Sequence, residues 1–239
     1  MNIEDLLLST QPIIFEELDE TEPYDYSGTC YPVKYKGSLF IVSAYHCYKT
    51  CNIEPEGTLF PLPSDPQEFF AFDRTYRFRV PTSNDEEHYD HVCLRVAGTS
   101  LSDSKFDKVN ALDLAIQSNA KLPTSNEIKD FWIRGFPHDA PKHRIDYEQK
   151  TISKQAYCTN GVLHVKKAPS DFCYIIGMKT PIPSGMHPNG ISGSPVYGIT
   201  FANQPVYCGT IIKYSEGSGE YFVIGPEIIV NGLNSLETD

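Results

Sequence analysis

Apolar residues in this chain come in short runs, and glycine, proline or a polar stretch cuts off each run. Leu39-Phe40-Ile41-Val42, Phe131-Trp132-Ile133, Phe172-Cys173-Tyr174-Ile175-Ile176 and Tyr207-Cys208-Gly209-Thr210-Ile211-Ile212 are rich in aromatic and β-branched side chains. Runs of this length fit buried strands and are too short for core helices. With 18 Pro and 16 Gly spread through 239 residues, the sequence predicts an all-β chain of many short strands and turns. That length suffices for one large domain or two small barrels. Further strands are expected at Ile13-Ile14-Phe15, Arg77-Phe78-Arg79-Val80 and Gly161-Val162-Leu163-His164-Val165. Short helices are expected over residues 2–9 and from Pro226 to Gly232, the latter with Pro at its start and Gly at its stop.

Charge excludes some functions. The net charge is −11 with no basic stripe, so nucleic-acid phosphates would be repelled. The acidic run from Glu16 to Glu22 reads as a solvated loop. No stretch approaches the length of a membrane span, and Met1–Leu8 is too acidic for a secretory signal. The expected location is cytoplasmic. The seven cysteines, an odd number, then read as mostly reduced thiols. Two clusters could be taken for metal ligands: His46, Cys47 and Cys51, and His88, His91 and Cys93. Neither has a second half at zinc-ligand spacing, so no metal or other cofactor is expected.

Three short motifs carry chemistry. Gly190-Ile191-Ser192-Gly193-Ser194-Pro195 puts a serine in a glycine-flanked turn. A hydroxyl is a poor nucleophile unless a base takes its proton and donors receive the charge that develops on the substrate oxygen. Glycine frees the backbone to aim N–H groups at one spot. His46, which follows the apolar run and Ser43-Ala44-Tyr45, is the candidate base. Two aspartates compete to orient it. Asp113 opens Asp113-Leu114-Ala115-Ile116, read as a strand entry, while Asp90 opens Asp90-His91-Val92-Cys93-Leu94, read as part of a solvated loop. Asp113 is preferred.

In the order His, Asp, Ser, these motifs resemble those of trypsin-like (chymotrypsin-fold) serine peptidases, here in an intracellular bacterial-type form. Ser43, Ala44, His46 and Cys47 fit the family's Thr-Ala-Ala-His-Cys, with Tyr45 replacing the second alanine. Asp113-Leu114-Ala115-Ile116 fits Asp-aliphatic-Ala-aliphatic throughout, whereas His91 and Cys93 depart from it. The resemblance spans residues 11–235. It implies two packed antiparallel six-stranded Greek-key barrels with the active site in the cleft between them. Residues 1–10 would be an N-terminal extension, 11–120 the first barrel with His and Asp, and 121–239 the second barrel with Ser and a short C-terminal helix.

The implied activity is that of a serine endopeptidase working through an acyl-enzyme. Ser192 would be the nucleophile, His46 the base and Asp113 the orienter. The N–H groups of Gly190 and Ser192 would form the oxyanion hole, with Met186 and Tyr214 in the specificity pocket. Activity is then expected to rise with pH through one ionisation near the free-histidine value of about 6.5. The implied partner is a protein or peptide substrate. Ile191 stands where many relatives have an acid that pairs with a freed N-terminal amine, so clipping is not expected, and the oxyanion turn is either permanently formed or ordered by a regulatory protein partner. Many secreted relatives bridge the cysteine after the histidine; Cys30 could pair with Cys47 in this way, but a reducing compartment argues for thiols. The alternative reading is a catalytically inactive fold serving as a protein-binding module.

Overall fold

The computed structural model describes every residue except 17–23, 63–64, 79–89, 101, 138–143, 147–150, 170, 184–185 and 237–239. Most of the acidic run, the end of the strand expected at Arg77–Val80 and His88 lie outside the described residues.

The first half of the chain forms β1 (Gln11–Glu16), β2 (Tyr24–Tyr35), β3 (Ser38–Ser43), β4 (Pro61–Leu62), β5 (Asp65–Phe69), β6 (Phe72–Tyr76) and β7 (Val92–Val96). Five of these make an antiparallel sheet in the order β1-β2-β3-β7-β6, and β4 pairs with β5. Lys36 (φ 45°) and Gly37 (φ 77°) turn β2 into β3, the left-handed pair that a two-residue hairpin requires. The second half forms β8 (Ile128–Gly135), β9 (Arg144–Asp146), β10 (Thr151–Ser153), β11 (Tyr157–Asn160), β12 (Val162–Lys167), β13 (Cys173–Met178), β14 (Pro195–Thr200), β15 (Pro205–Ser215) and β16 (Glu220–Ile224). Seven strands join in the order β11-β8-β14-β15-β16-β13-β12. The expected six strands per barrel therefore appear as main sheets of five and seven among the described residues.

The two halves share a core. Tyr31 of β2 and Tyr207 of β15 are fully buried, and their hydroxyls meet at 2.8 Å, with Thr210 Oγ1 within 2.6 Å of the first and 2.8 Å of the second. This closed polar triangle lets two phenols sit between the sheets without unsatisfied hydroxyls. Leu6 and Leu7 of α1 (Ile3–Ser9) and Ile229 and Leu233 of the C-terminal helix Pro226–Ser235 pack against the same cluster. Two further α-helices, α2 (His46–Cys51) and α3 (Asp103–Lys108), lie among the described residues, so the C-terminal one is α4. No described helix is long and apolar enough to cross a membrane.

Two local expectations change. Leu112–Ile116 is no strand: Asp113 makes a single bridge to Lys34, and its C=O accepts the Ile116 N–H at 3.2 Å in a turn. Gly232 does not stop α4 but lies inside it, where an added Cβ would overlap the Phe78 ring. In an ordinary helix interior, Gly→Ala stabilises by about 1 kcal/mol. Here Gly232→Ala is expected to destabilise instead, read as a lower midpoint in urea unfolding.

Candidate active site

The turn that carries Ser192 is tied down from the first sheet. The Thr29 N–H donates to the Ser192 C=O at 2.9 Å, and Thr29 Oγ1 donates to the Gly190 C=O at 2.7 Å. The Ile191 C=O accepts from Ser194 N at 3.0 Å and from Ser194 Oγ at 2.6 Å. The Ile191 N–H goes to Pro188 and the Gly193 N–H to Ile211, at 3.1 and 2.7 Å. That leaves the N–H groups of Gly190 and Ser192, neither of which donates to a protein acceptor among the described residues. They are the two donors expected for the oxyanion hole, and the tied carbonyls hold them in place before any substrate arrives.

Glycine is needed twice in this turn. Gly190 has φ 95° and Gly193 φ 87°, and a Cβ on Gly193 would overlap the Thr29 carbonyl oxygen and Ser43 Oγ. Ile191 is buried in the core of the second half, where apolar packing anchors the turn.

His46 begins α2, just past the end of β3, and Asp90 holds it. Asp90 Oδ2 lies 2.6 Å from His46 Nδ1, and Asp90 Oδ1 accepts the His46 N–H at 2.8 Å. Register explains this. Ser43 pairs with Val92, so the residues just beyond Ser43 on β3 face those just before Val92 on β7. Asp113, the aspartate preferred from the sequence, lies away from His46. It bridges Lys34, which pairs with Leu39, four residues back along β3 and therefore about 13 Å from the His46 end. Its carboxylate accepts the Ala115 N–H at 2.9 Å and makes no bond to His46.

Burial pulls the His46 pKa down, but the Asp90 carboxylate and Cys47 outweigh that and hold it up at about 10. The expected ionisation near neutrality is thus displaced upward. A general base works only when neutral, so kcat/KM is expected to rise with pH through an alkaline limb well above 6.5. In Asp90→Asn burial acts without its main opponent, and the limb of any residual activity moves toward acid. A pH–rate profile of both proteins checks the sign; a limb that stays put would contradict it.

Ser192 Oγ donates to the Ile212 C=O at 3.3 Å, and among the described residues it has no bond to His46. His46 Nε2 instead lies 3.9 Å from Cys47 Sγ, which donates to the Ser192 C=O at 3.6 Å. Cys47 and Cys30 are both free thiols. Burial pushes the Cys47 thiol up, against the opposing pull of the neighbouring His46. His91 is fully buried and its Nε2 accepts the Phe78 N–H at 3.2 Å, while Cys93 lies in the shared core. Met186 donates its N–H to Pro183 at 3.1 Å, and Tyr214 packs its ring 4.9 Å from Tyr221. No hydrogen bond or ring contact joins Met186 to Tyr214 among the described residues.

Thr29 was not singled out as a site residue in the sequence, yet it holds the nucleophile turn at both Gly190 and Ser192. Its signal was faint, one threonine beside Gly28 in a polar stretch.

No family model and no curated protein matches the sequence. Solved structures do match over nearly the whole chain. One is the protease Anisep from Arthrobacter nicotinovorans, 13% identical with a TM-score of 0.53, covering 97% of this chain and 96% of that one. Another is the thermostable serine protease AL20 from an extremophilic microorganism, 12% identical with a TM-score of 0.55, covering 97% and 98%. At such identity the likeness is one of fold, and the fold is that of trypsin-like serine peptidases.

Proposed function

We propose that the protein is a serine endopeptidase with Ser192 as nucleophile, His46 as general base and Asp90, in place of Asp113, as the group that orients His46. The observation that carries this reading is the pair of contacts from Asp90 to His46, at 2.6 and 2.8 Å. They leave Nε2 to take the Ser192 proton and return it to the leaving amine. The tetrahedral oxyanion would sit on the Gly190 and Ser192 N–H groups.

A second reading, a protein-binding module without activity, draws on the Ser192 bond to the Ile212 C=O at 3.3 Å. The peptidase reading accounts for that bond as well. Ile212 sits at an irregularity in the pairing of β15 with β16, between the paired residues Ile211 and Lys213. A peptide adding alongside β15 would donate to that carbonyl and release Ser192 toward His46. Tyr214 on the same strand, and Met186, are proposed to limit the substrate side chain accepted.

Incubation with a library of internally quenched peptides, with products mapped by mass spectrometry, tests the reaction class. Cleavage at internal bonds that persists in dithiothreitol and in EDTA is expected. Loss of cleavage in EDTA would overturn the serine mechanism.

A further inference from the structure

Strands β6 and β7 set two arginines directly across from each other. Arg74 pairs in register with Arg95, which pairs on its other side with Phe40 of β3. Like charges at directly opposed positions repel, so this register needs a compensating anion. A bulge between Phe72 and Arg74 supplies half of it. The extra residue is Asp73, whose carboxylate takes Arg95 Nε and Nη2 at 2.7 and 2.8 Å. Arg74 is exposed and has no hydrogen bond or ion pair among the described residues. Asp73 bonds Arg95 directly and feels the Arg74 charge only through space, in a protein whose net charge is −11.

The same two arginines and Lys36 rim a cavity of about 370 Å³. Its walls are aromatic and aliphatic: Phe40 and Tyr76, with ring centroids 6.3 Å apart, and Leu233 and Leu236 from α4. The Tyr35 hydroxyl donates to Asn234 Oδ1, which fixes the helix as a wall. The cavity is concave and lined about equally by polar and apolar surface, so it offers a small ligand both a flat apolar wall and convergent charged groups. We propose that this cavity binds a small aryl anion, a carboxylate or phosphate on a flat apolar body, with the anion on Arg74 beside Arg95 and the body against Phe40 and Tyr76. Guanidinium groups suit such anions because their forked donors match the oxygens in pairs. The cavity lies at the β2–β3 turn, at the opposite end of β3 from His46, so the proposal does not depend on the peptidase reading.

The test uses the full chain and the fluorescent anion 8-anilinonaphthalene-1-sulfonate. Saturable one-site binding is expected, displaced by benzoate and by phenyl phosphate, which tell a carboxylate site from a phosphate site by rank. Neutral benzamide should not compete. Arg74→Thr should weaken binding by about tenfold or more, the usual size of one lost charge-assisted contact. Ser192→Ala should change nothing. Arg74→Thr should also raise the thermal midpoint of the ligand-free protein, because it removes the like-charge pair. Arg74→Gln, which deletes the charge with a longer side chain, should follow it in both measurements. Displacement by benzamide as good as by benzoate, or full affinity in both Arg74 variants, would overturn the proposal.

Discussion

Asp90→Asn is expected to lower kcat/KM by about 10⁴, the loss measured for this substitution in a serine protease of the same fold. The amide can still accept the His46 N–H through its oxygen, in place of the 2.8 Å bond that Asp90 Oδ1 makes. Its NH₂ then faces His46 Nδ1 in place of the carboxylate oxygen at 2.6 Å. A donor there forces Nδ1 to accept and puts the imidazole proton on Nε2, the atom that must be free to receive the Ser192 proton. Geometry is kept and the tautomer is wrong. Asp113→Asn is expected to leave activity unchanged, since an amide oxygen can also accept the Ala115 N–H at 2.9 Å. As a change at a half-buried turn position that keeps its one acceptor contact, it should move stability by no more than about 0.5 kcal/mol. Steady-state kinetics of the two variants decide between the aspartates, and a reversed rank would remove Asp90 from the account.

Ser192→Ala is expected to have the larger effect, a fall in kcat of about 10⁶ by analogy with loss of the nucleophile in a serine protease. The fold should hold. The hydroxyl makes one bond of 3.3 Å to the Ile212 carbonyl, whereas the turn itself is held by Thr29 through the backbone of Ser192 and Gly190. A residual rate above the uncatalysed one would reflect the Gly190 and Ser192 N–H groups, which the substitution leaves in place. Equal unfolding midpoints with lost turnover would separate chemistry from stability.

The sequence made the all-β architecture legible because strand-length runs bounded by turn formers have few other uses. It also offers Ser192 and His46 as candidates, because the reasons for choosing them are written in adjacent residues. Which aspartate touches His46 was not legible, because that contact depends on register. Asp113 heads a better-looking local pattern, yet that segment makes only one bridge, to Lys34. Asp90 heads a poorer pattern, with a buried neutral histidine and a buried thiol at His91 and Cys93, but β7 pairs with β3 at the right height. His91 fits because burial lowers its pKa to about 4, which keeps it uncharged. The sequence reading also missed α2, six residues long with no side-chain cap at its start. Its first turn forms because β3 ends and Asp90 takes the His46 N–H, a contact 44 residues away in sequence. Thr29 belongs to the same class of long-range effects, since three of its partners, Gly190, Ser192 and Phe136, lie more than 100 residues downstream.

The central claim is that Ser192 is a serine nucleophile activated by His46 and Asp90. Labelling the folded protein with a fluorophosphonate, followed by peptide mapping in a mass spectrometer, tests it most directly. The account predicts one adduct, on Ser192, absent in Ser192→Ala and formed far more slowly in Asp90→Asn. A folded protein that takes no adduct, or one whose label sits on Cys47, would contradict it.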